Sequence, residues 1–151
     1  MIANLIFALA VAGLAISLYF MFTYYGRVRN ARWIPSVVCA RPDSVCVKLV
    51  HTPYAHLLGV PNFLLGAFYY LALIWWTGAD SPVGFEFLIE DRYRILRIAW
   101  LLILAGLASV AFSAFLVYVL HWKLKARCPL CYTAHAVNVC LLILLVIYAA
   151  S

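Results

Sequence analysis

The sequence predicts an all-α integral membrane protein, a bundle of four transmembrane helices with a long capping loop between helices 1 and 2. Two observations support this fold class. Hydrophobic residues make up 68% of the 151-residue chain and charged residues only 11%, whereas a soluble domain carries about 25% charged residues. In addition, four apolar runs approach or exceed the roughly 20 residues of a spanning helix, and they cover residues 2–25, 61–77, 95–121 and 129–150.

Each run has the features of a membrane helix, and together they predict a single domain over residues 1–151. The first run is too long for the apolar region of a signal peptide and lacks a basic start, so we expect no cleavable leader. The second run is the shortest, and Pro61 favours a helix start there. In the third run, Gly106, Ser109 and Ser113 form a small-residue stripe that predicts close helix packing.

Residues 26–60 form the one long connection, and a loop of this length is normally functional or disordered. Its apolar residues are numerous enough to lie on the membrane or to cap the bundle, and it contains Cys39 and Cys46. The net charge of +6 does not indicate nucleic-acid binding. The basic residues flank apolar runs, where they set topology and contact lipid headgroups.

The last run opens with the motif Cys128-Pro-Leu-Cys131. Proline is tolerated at the first helical position, which places Cys128 at the N-cap and Cys131 in the first turn. Unpaired backbone N–H groups and the helix dipole stabilise a thiolate there and lower its pKa. The motif therefore predicts a reactive redox pair. The alternative is a structural disulfide or an inert pair.

Two polar residues follow Cys131 on the same helix face. His135 and Asn138 come four and seven residues later, which is within about 40° of Cys131 around the helix. Polar groups in membrane spans usually face the bundle interior, so this face is predicted to bond the carbonyl of an apolar electron acceptor. Alternatively, both side chains only bond neighbouring helices. Cys140, on the opposite face, is predicted to be a packing residue.

The loop cysteines form a second pair. Cys39 and Cys46 enclose the turn-favouring residues Pro42, Asp43 and Ser44, so their sulfurs are expected to form a small, reducible disulfide. Two dithiol pairs, one in a loop and one at a helix start, predict a relay of thiol–disulfide exchange. The abundant apolar two-electron carrier of membranes is a quinone, and it is the expected final acceptor.

With these residues identified, the chain resembles the vitamin K epoxide reductase homologue family, membrane quinone reductases that generate disulfides. The resemblance covers essentially the whole chain. It rests on a first span, the loop CARPDSVC…HTPYAHLLGVPNFLLG, two further spans, and CPLC opening the last one. It implies an enzyme that passes electrons from a partner through Cys39 and Cys46 to Cys128 and Cys131, and then to a quinone.

The resemblance also implies individual roles for the cysteines. Cys39 exchanges with the partner's thiols, Cys46 attacks Cys128, and Cys131 faces the quinone. The acceptor is ubiquinone, menaquinone or a related naphthoquinone, and no metal cofactor is implied. Some relatives carry a fused thioredoxin-like domain, whereas this chain ends at Ser151. The expected partner is therefore a separate thioredoxin-like protein or protein disulfide oxidoreductase.

Three further positions match the family's pattern. Thr52 lies where a loop hydroxyl is expected to bond a thiolate or the quinone; alternatively it satisfies the turn before Pro53. Asn62 precedes Gly66 by four residues, as the quinone-binding asparagine of the family does, or it only satisfies the helix start. His135 stands where relatives often carry tyrosine, which keeps a hydrogen-bonding group and favours plain quinone reduction over epoxide reduction.

Two other functions compete with the redox relay. In the first, the four cysteines hold zinc or an iron–sulfur cluster without catalysis, but the six residues between Cys39 and Cys46 exceed the usual spacing of about two to four. In the second, the protein is a purely structural helical subunit, which would make both cysteine pairs accidental.

The basic residues also predict an orientation. Eight of the eleven Lys and Arg residues lie in the connections 26–60 and 122–128, on the same side as both cysteine pairs. Lys and Arg in short loops mark the cytoplasmic side, which predicts a cytoplasm-facing active site, inverted from the family's usual topology. Cytosolic disulfides are a property of hyperthermophiles, so an archaeal or thermophilic source is expected. The alternative is an extracytoplasmic site, with the arginines serving the active site or anionic headgroups.

Overall fold

The computed structural model describes residues 2–26, 45–57, 59–79, 92–125 and 128–150, with the helical backbone alone at 45–47, 79 and 92–97. Most of these residues are helical. The helices are α1 (Ile2–Tyr24), the short α2 (Val45–Val50), α3 (Asn62–Ala79), α4 (Arg92–Tyr118) and α5 (Pro129–Ala150). The four long helices begin and end within a few residues of the predicted apolar runs, because each run ends where polar or basic residues begin.

The helices pack around α1 and α5. α1 packs along both α3 and α5, and α4 packs against α5. The apolar core lies in the half of the bundle that contains the beginning of α1 and the end of α5, where Ile6, Leu73, Leu141 and Leu145 are almost fully buried. The other half is less densely filled and contains the candidate site.

Three helical segments are long and apolar enough to cross a membrane, namely Ile2–Tyr24, Ile98–Lys123 and Pro129–Ala150. Large apolar side chains on them stay exposed, such as Leu104 at 58% and Ile143 at 53%, as expected of a surface that contacts lipid. These observations confirm an all-α membrane protein. α3, with 18 residues, is not among the three segments, so the fourth span stays a prediction.

The connection between α1 and α3 contains more regular structure than a loop. After α2, it forms a cap that consists of a 3-10 turn at Pro53–Ala55 and two short strands, β1 (His56–Leu57) and β2 (Val60–Pro61). The strands are antiparallel, with His56 opposite Pro61, and Gly59 takes the positive φ of 84° that the tight turn needs. Pro61 thus belongs to a strand, and α3 begins one residue later than predicted.

α4 continues past Tyr118 as a π-helical turn, Val119–Lys123, so the helix ends two residues beyond the predicted boundary. The wider turn buries two consecutive residues, Val119 and Leu120. π-helical turns are rare and occur frequently at functional sites. This one directs Leu120 towards the start of α5.

Glycines allow the helices to approach closely at two points. A Cβ atom on Gly13 of α1 would lie 2.5 Å from the ring of Tyr70 on α3. A Cβ atom on Gly106 of α4 would lie 2.7 Å from the hydroxyl oxygen of Tyr69. Both positions exclude a larger side chain unless the tyrosine moves, in agreement with the packing role predicted for Gly106.

Gly13→Ala is expected to lower the free energy of unfolding by about 1–3 kcal/mol, the usual cost of overpacking. The added methyl group would overlap the ring of Tyr70, which is 3% exposed and therefore cannot swing into open space. Unfolding of the purified protein in detergent micelles measures the effect. Gly78→Ala is the matched control, because a Cβ atom there meets nothing within 4 Å. Equal losses in the two variants would contradict the steric explanation.

Candidate functional site

The candidate site begins at the N-terminus of α5. The Tyr132 N–H donates a hydrogen bond to the Cys128 carbonyl oxygen at 3.2 Å, and Pro129 is the first helical residue. Cys128 is therefore the N-cap residue and Cys131 lies in the first turn, as the sequence predicted. Proline costs nothing at this position, because the first helical N–H has no partner within a helix.

The two thiols of this motif are in contact. Cys131 Sγ donates a hydrogen bond to Cys128 Sγ at 2.7 Å. Both side chains are buried, Cys128 completely, with an exposure of 0%. They form one apolar cluster with Leu120 of the π-helical turn, and Leu49 of α2 packs against the same cluster. α2 and the end of α4 thus shield the dithiol from solvent.

The pKa of the Cys128 thiol is lowered from its ordinary value. The hydrogen bond from Cys131 has the largest effect, and burial opposes it. Backbone N–H groups of Cys131 and Leu130 lower the pKa further, because at a helix start they have no helical acceptor and bond the N-cap sulfur instead. Cys128 is therefore the cysteine with thiolate character, and its neighbour acts as the donor.

A cavity lies beside the dithiol, in the half of the bundle away from the apolar core. Its volume is about 110 Å³, several times the roughly 10–15 Å³ that one water molecule requires. The walls are mainly apolar and include Ile16, Phe20, Leu116 and Leu120. A mainly apolar cavity with a few polar groups is the usual form of a site for a small organic ligand.

The polar part of the lining contains all the predicted substrate-binding residues. Cys131, His135 and Asn138 line the cavity from one face of α5, as their spacing predicted, and Thr52 and Asn62 line it from the cap and the start of α3. Positions far apart in the sequence therefore meet at one cavity. Their individual roles stay predictions.

The loop cysteines lie only partly within the described chain. Cys46 belongs to α2, where its backbone is described, and Cys39 lies outside the described residues. Leu49 belongs to the same helix. Because Leu49 packs against the dithiol, α2 lies beside Cys128 and Cys131. The Cys39–Cys46 disulfide stays a prediction.

His135 presents a polar atom that needs a partner. Its Nδ1 is buried and has no hydrogen-bond partner within the described ranges. Leaving such an atom unsatisfied costs roughly 1–3 kcal/mol, and buried polar atoms without a partner are uncommon in folded proteins. We therefore observe no bond from His135 Nδ1 to a neighbouring helix, and the side chain of His135 lines the cavity.

Asn138 does bond neighbouring helices, as its alternative interpretation held. The Tyr70 hydroxyl donates a hydrogen bond to Asn138 Oδ1 at 2.6 Å. Asn138 Nδ2 donates one to Ser113 Oγ at 3.3 Å. Because Asn138 also lines the cavity, it combines a packing role with a position next to a ligand.

Thr52 organises the cap. Its Oγ1 donates a hydrogen bond to the Leu49 carbonyl at 2.7 Å, its carbonyl oxygen accepts one from the Ala55 N–H at 3.1 Å, and that oxygen lies 3.1 Å from His56 Nδ1. These bonds agree with the alternative in which Thr52 satisfies the turn before Pro53. The hydroxyl oxygen keeps its lone pairs for a second partner, so a ligand role is also compatible.

Sequence reasoning missed two tyrosines of the site. Tyr54 of the cap lines the cavity, and Lys123 Nζ lies 5.1 Å from its ring centroid, which ties the cap to the π-helical turn. Tyr70 lines the cavity from α3. Its spacing of eight residues from Asn62 was a usable signal, because both lie towards one side of a helix. Tyr54 offered no such signal, because the fold of the cap sets its position.

Two observations bear on the remaining cysteine and on metals. Cys140 is exposed, so its prediction as a packing residue was wrong, because the face of α5 opposite the cavity is not covered. Among the residues with described side chains, no group of three or more His, Cys, Asp or Glu is placed to hold a metal ion. The metal-binding alternative therefore gains no support from them.

Removing the Cys131 thiol is expected to raise the pKa of Cys128, because that hydrogen bond has the largest lowering effect. Cys131→Ala removes the donor, whereas Cys131→Ser keeps an O–H donor. The pH of half-maximal labelling at Cys128 by methyl methanethiosulfonate, read by peptide mass spectrometry, should rise from wild type to Cys131→Ser to Cys131→Ala. An identical pH midpoint in all three proteins would exclude control by this hydrogen bond.

Comparison with known proteins agrees with this arrangement. The model of the vitamin K epoxide reductase family matches residues 4–146. The chain is similar to vitamin K epoxide reductase complex subunit 1 of Rattus norvegicus, with 32% identity over 142 residues, which cover 91% of this chain and 84% of the relative. The protein of the same name from Mus musculus is 30% identical over the same shares of the two chains. The chain therefore belongs to the vitamin K epoxide reductase family, and it is a quinone-dependent oxidoreductase of that type.

Proposed function

We propose that this protein is a quinone reductase that generates disulfide bonds, taking electrons from a protein dithiol and delivering them to a membrane quinone. The observation that carries the proposal is the contact between the hydrogen-bonded Cys128–Cys131 pair and an apolar cavity that Cys131 lines. Oxidation of a dithiol by an apolar acceptor needs these two parts side by side.

The reaction moves two electrons and two protons. A partner dithiol becomes a disulfide and the quinone becomes a quinol, so no further oxidant is consumed. The Cys46 thiolate attacks Cys128 of the oxidised pair, and Cys131 leaves as a thiolate. Cys39 then attacks Cys46, which closes the Cys39–Cys46 disulfide and releases Cys128. The partner's thiols reduce Cys39–Cys46 by the same exchange, and the Cys128–Cys131 dithiol reduces the quinone.

Two features of the site support this route. A thiol with a lowered pKa is a better leaving group in disulfide exchange, which favours release of Cys128 when Cys39 attacks the mixed disulfide. In addition, Leu49 packs against the dithiol, and Cys46 belongs to the same short helix, α2.

In the cavity, Cys131 faces the quinone ring and the polar groups bond its carbonyl oxygens. We assign hydrogen bonds to His135, Asn62 and Thr52 near the dithiol and to Asn138 deeper in the bundle. Such bonds fix the orientation of the ring against the dithiol. The walls suit a flat apolar ring with two carbonyls, so ubiquinone, menaquinone and other naphthoquinones all meet the requirement.

Cys131→Ser is expected to abolish reduction of 2,3-dimethyl-1,4-naphthoquinone by dithiothreitol, because no other described cysteine lines the cavity. This quinone is chosen because both of its reactive ring carbons are blocked against direct thiol addition. Quinol formation in detergent is followed by absorbance. Cys140→Ser is the matched control, since Cys140 is exposed on the same helix and should leave the rate unchanged. A Cys131→Ser protein with wild-type turnover would overturn the assignment.

The partner route has its own test in Cys39→Ser. The partner is a separate thioredoxin-like protein or protein disulfide oxidoreductase, whose thiols need Cys39 as their point of entry. Turnover with such a protein should be lost, while a small dithiol still enters at Cys46 or Cys128. Equal losses with the two reductants would argue against a relay through the loop.

We also propose that α3 is the fourth span. Its 18 residues extend for about 27 Å, close to the roughly 30 Å of the hydrocarbon core, and it packs along the spanning helix α1. With four spans, both cysteine pairs lie on the side that carries eight of the eleven basic residues. That side is the cytoplasmic one, an arrangement suited to an archaeal or thermophilic cell that forms disulfides in its cytosol.

A fusion of alkaline phosphatase to Ser151 tests this orientation, because the enzyme is active only outside the cytoplasm. Both termini lie outside in the proposed orientation, so the fusion should be active. A matched fusion of a cytosolic fluorescent protein at the same residue should be dark. The reverse pair of results would place the active site on the extracytoplasmic side, as in the usual topology of the family.

A further inference from the structure

The inner end of the cavity contains a hydrogen-bond chain centred on Asn138. It runs from the Tyr70 hydroxyl to Asn138 Oδ1 at 2.6 Å and from Asn138 Nδ2 to Ser113 Oγ at 3.3 Å. The three residues belong to α3, α5 and α4. Tyr70 and Ser113 are buried, and Tyr70 and Asn138 line the cavity.

The distances fix the orientation of the amide. A separation of 2.6 Å is typical of an O–H···O hydrogen bond and too short for an ordinary N–H···O bond, whereas 3.3 Å falls only at the long end for N–H···O. The oxygen of Asn138 therefore faces Tyr70, and its nitrogen faces Ser113. An amide nitrogen has two hydrogens, so one N–H of Asn138 remains available beyond the bond to Ser113.

Close packing holds the Tyr70 ring in place. A Cβ atom on Gly13 would lie 2.5 Å from the ring, and a Cβ atom on Gly66 would lie 3.6 Å from its other edge. The absence of a side chain at Gly13 thus gives the ring its space against α1, and the ring is only 3% exposed. Because the ring has little freedom to move, its hydroxyl is a fixed point to which the amide of Asn138 is oriented.

We propose that Tyr70 is a positioning residue for the acceptor: it holds the Asn138 amide with an N–H directed to the cavity, where that N–H binds the inner carbonyl of a flat dicarbonyl ligand. The inference rests on the proposed quinone reductase function. Asn138 lies about 4.5 Å further along α5 than His135. The two side chains are therefore spaced to bind opposite carbonyls of one quinone ring, which sets the ring in register with Cys131.

Without the Tyr70 hydroxyl, the Asn138 amide can rotate by half a turn, because the Ser113 hydroxyl can donate to its oxygen as well as accept from its nitrogen. Its oxygen would then face the cavity and repel a carbonyl oxygen instead of binding it. The loss falls on recognition of the acceptor and leaves the dithiol untouched. A purely structural tie between helices would instead change stability without any selective change in quinone binding.

Tyr70→Phe removes only the hydroxyl and tests the inference in the full chain purified in detergent. The KM for 2,3-dimethyl-1,4-naphthoquinone, with saturating dithiothreitol, should rise roughly three- to tenfold, the range for loss of one hydrogen bond, with kcat little changed. Tyr69→Phe is the matched control, because the adjacent hydroxyl is also buried but has no partner among the described residues and lies outside the cavity lining. Its KM should equal that of the wild type.

Ser113→Ala provides a second variant, which removes the other partner of the amide and should raise the KM in the same direction. An unchanged KM in Tyr70→Phe, or equal changes in Tyr69→Phe and Tyr70→Phe, would overturn the inference. Quenching of tryptophan fluorescence by the same quinone measures binding without turnover. If the wild type binds the quinone but does not reduce it, the proposed function fails, and weaker binding by Tyr70→Phe alone would still support the positioning role. Absence of binding by the wild type would refute both.

Discussion

The start of α5 at Pro129 is the constraint on which the site depends. A helix that begins there makes Cys128 the N-cap residue, so the free N–H groups of the first turn and the Cys131 thiol converge on one sulfur. The same start fixes the rotation of the whole helix and brings Cys131, His135 and Asn138 to the cavity. The lowered pKa of Cys128 and the common position of these three side chains at the cavity are therefore consequences of one helix boundary.

Polar groups inside a membrane bundle are few and costly, so the partners of each one are informative. Asn138 has two partners on two other helices, whereas His135 Nδ1 and the Tyr69 hydroxyl have none among the described residues. Tyr69 lies against Gly106, away from the cavity, while His135 lines it. The two buried groups therefore differ in surroundings, and only the His135 group belongs to a residue that lines the cavity.

Much of this organisation follows from local rules that act within a helix. The apolar runs, the proline-marked start of α5 and the shared face of its polar residues each depend on residues only a few positions apart. Features that depend on contacts between distant segments did not follow from the sequence. The cap hairpin placed Tyr54, the π-helical turn extended α4 beyond residue 121, and the exposure of Cys140 depended on which face of α5 its neighbours leave uncovered.

The position of the cavity has a consequence for the cohesion of the bundle. α1, α3, α4, α5 and the cap all contribute to its walls, yet α3 makes only slight direct contact with α4. A bound acceptor would fill the space that side chains leave open in that half of the bundle. Binding free energy would then add to folding free energy by linkage. The concentration of acceptor in the membrane would thus affect the stability of the protein as well as its rate of turnover.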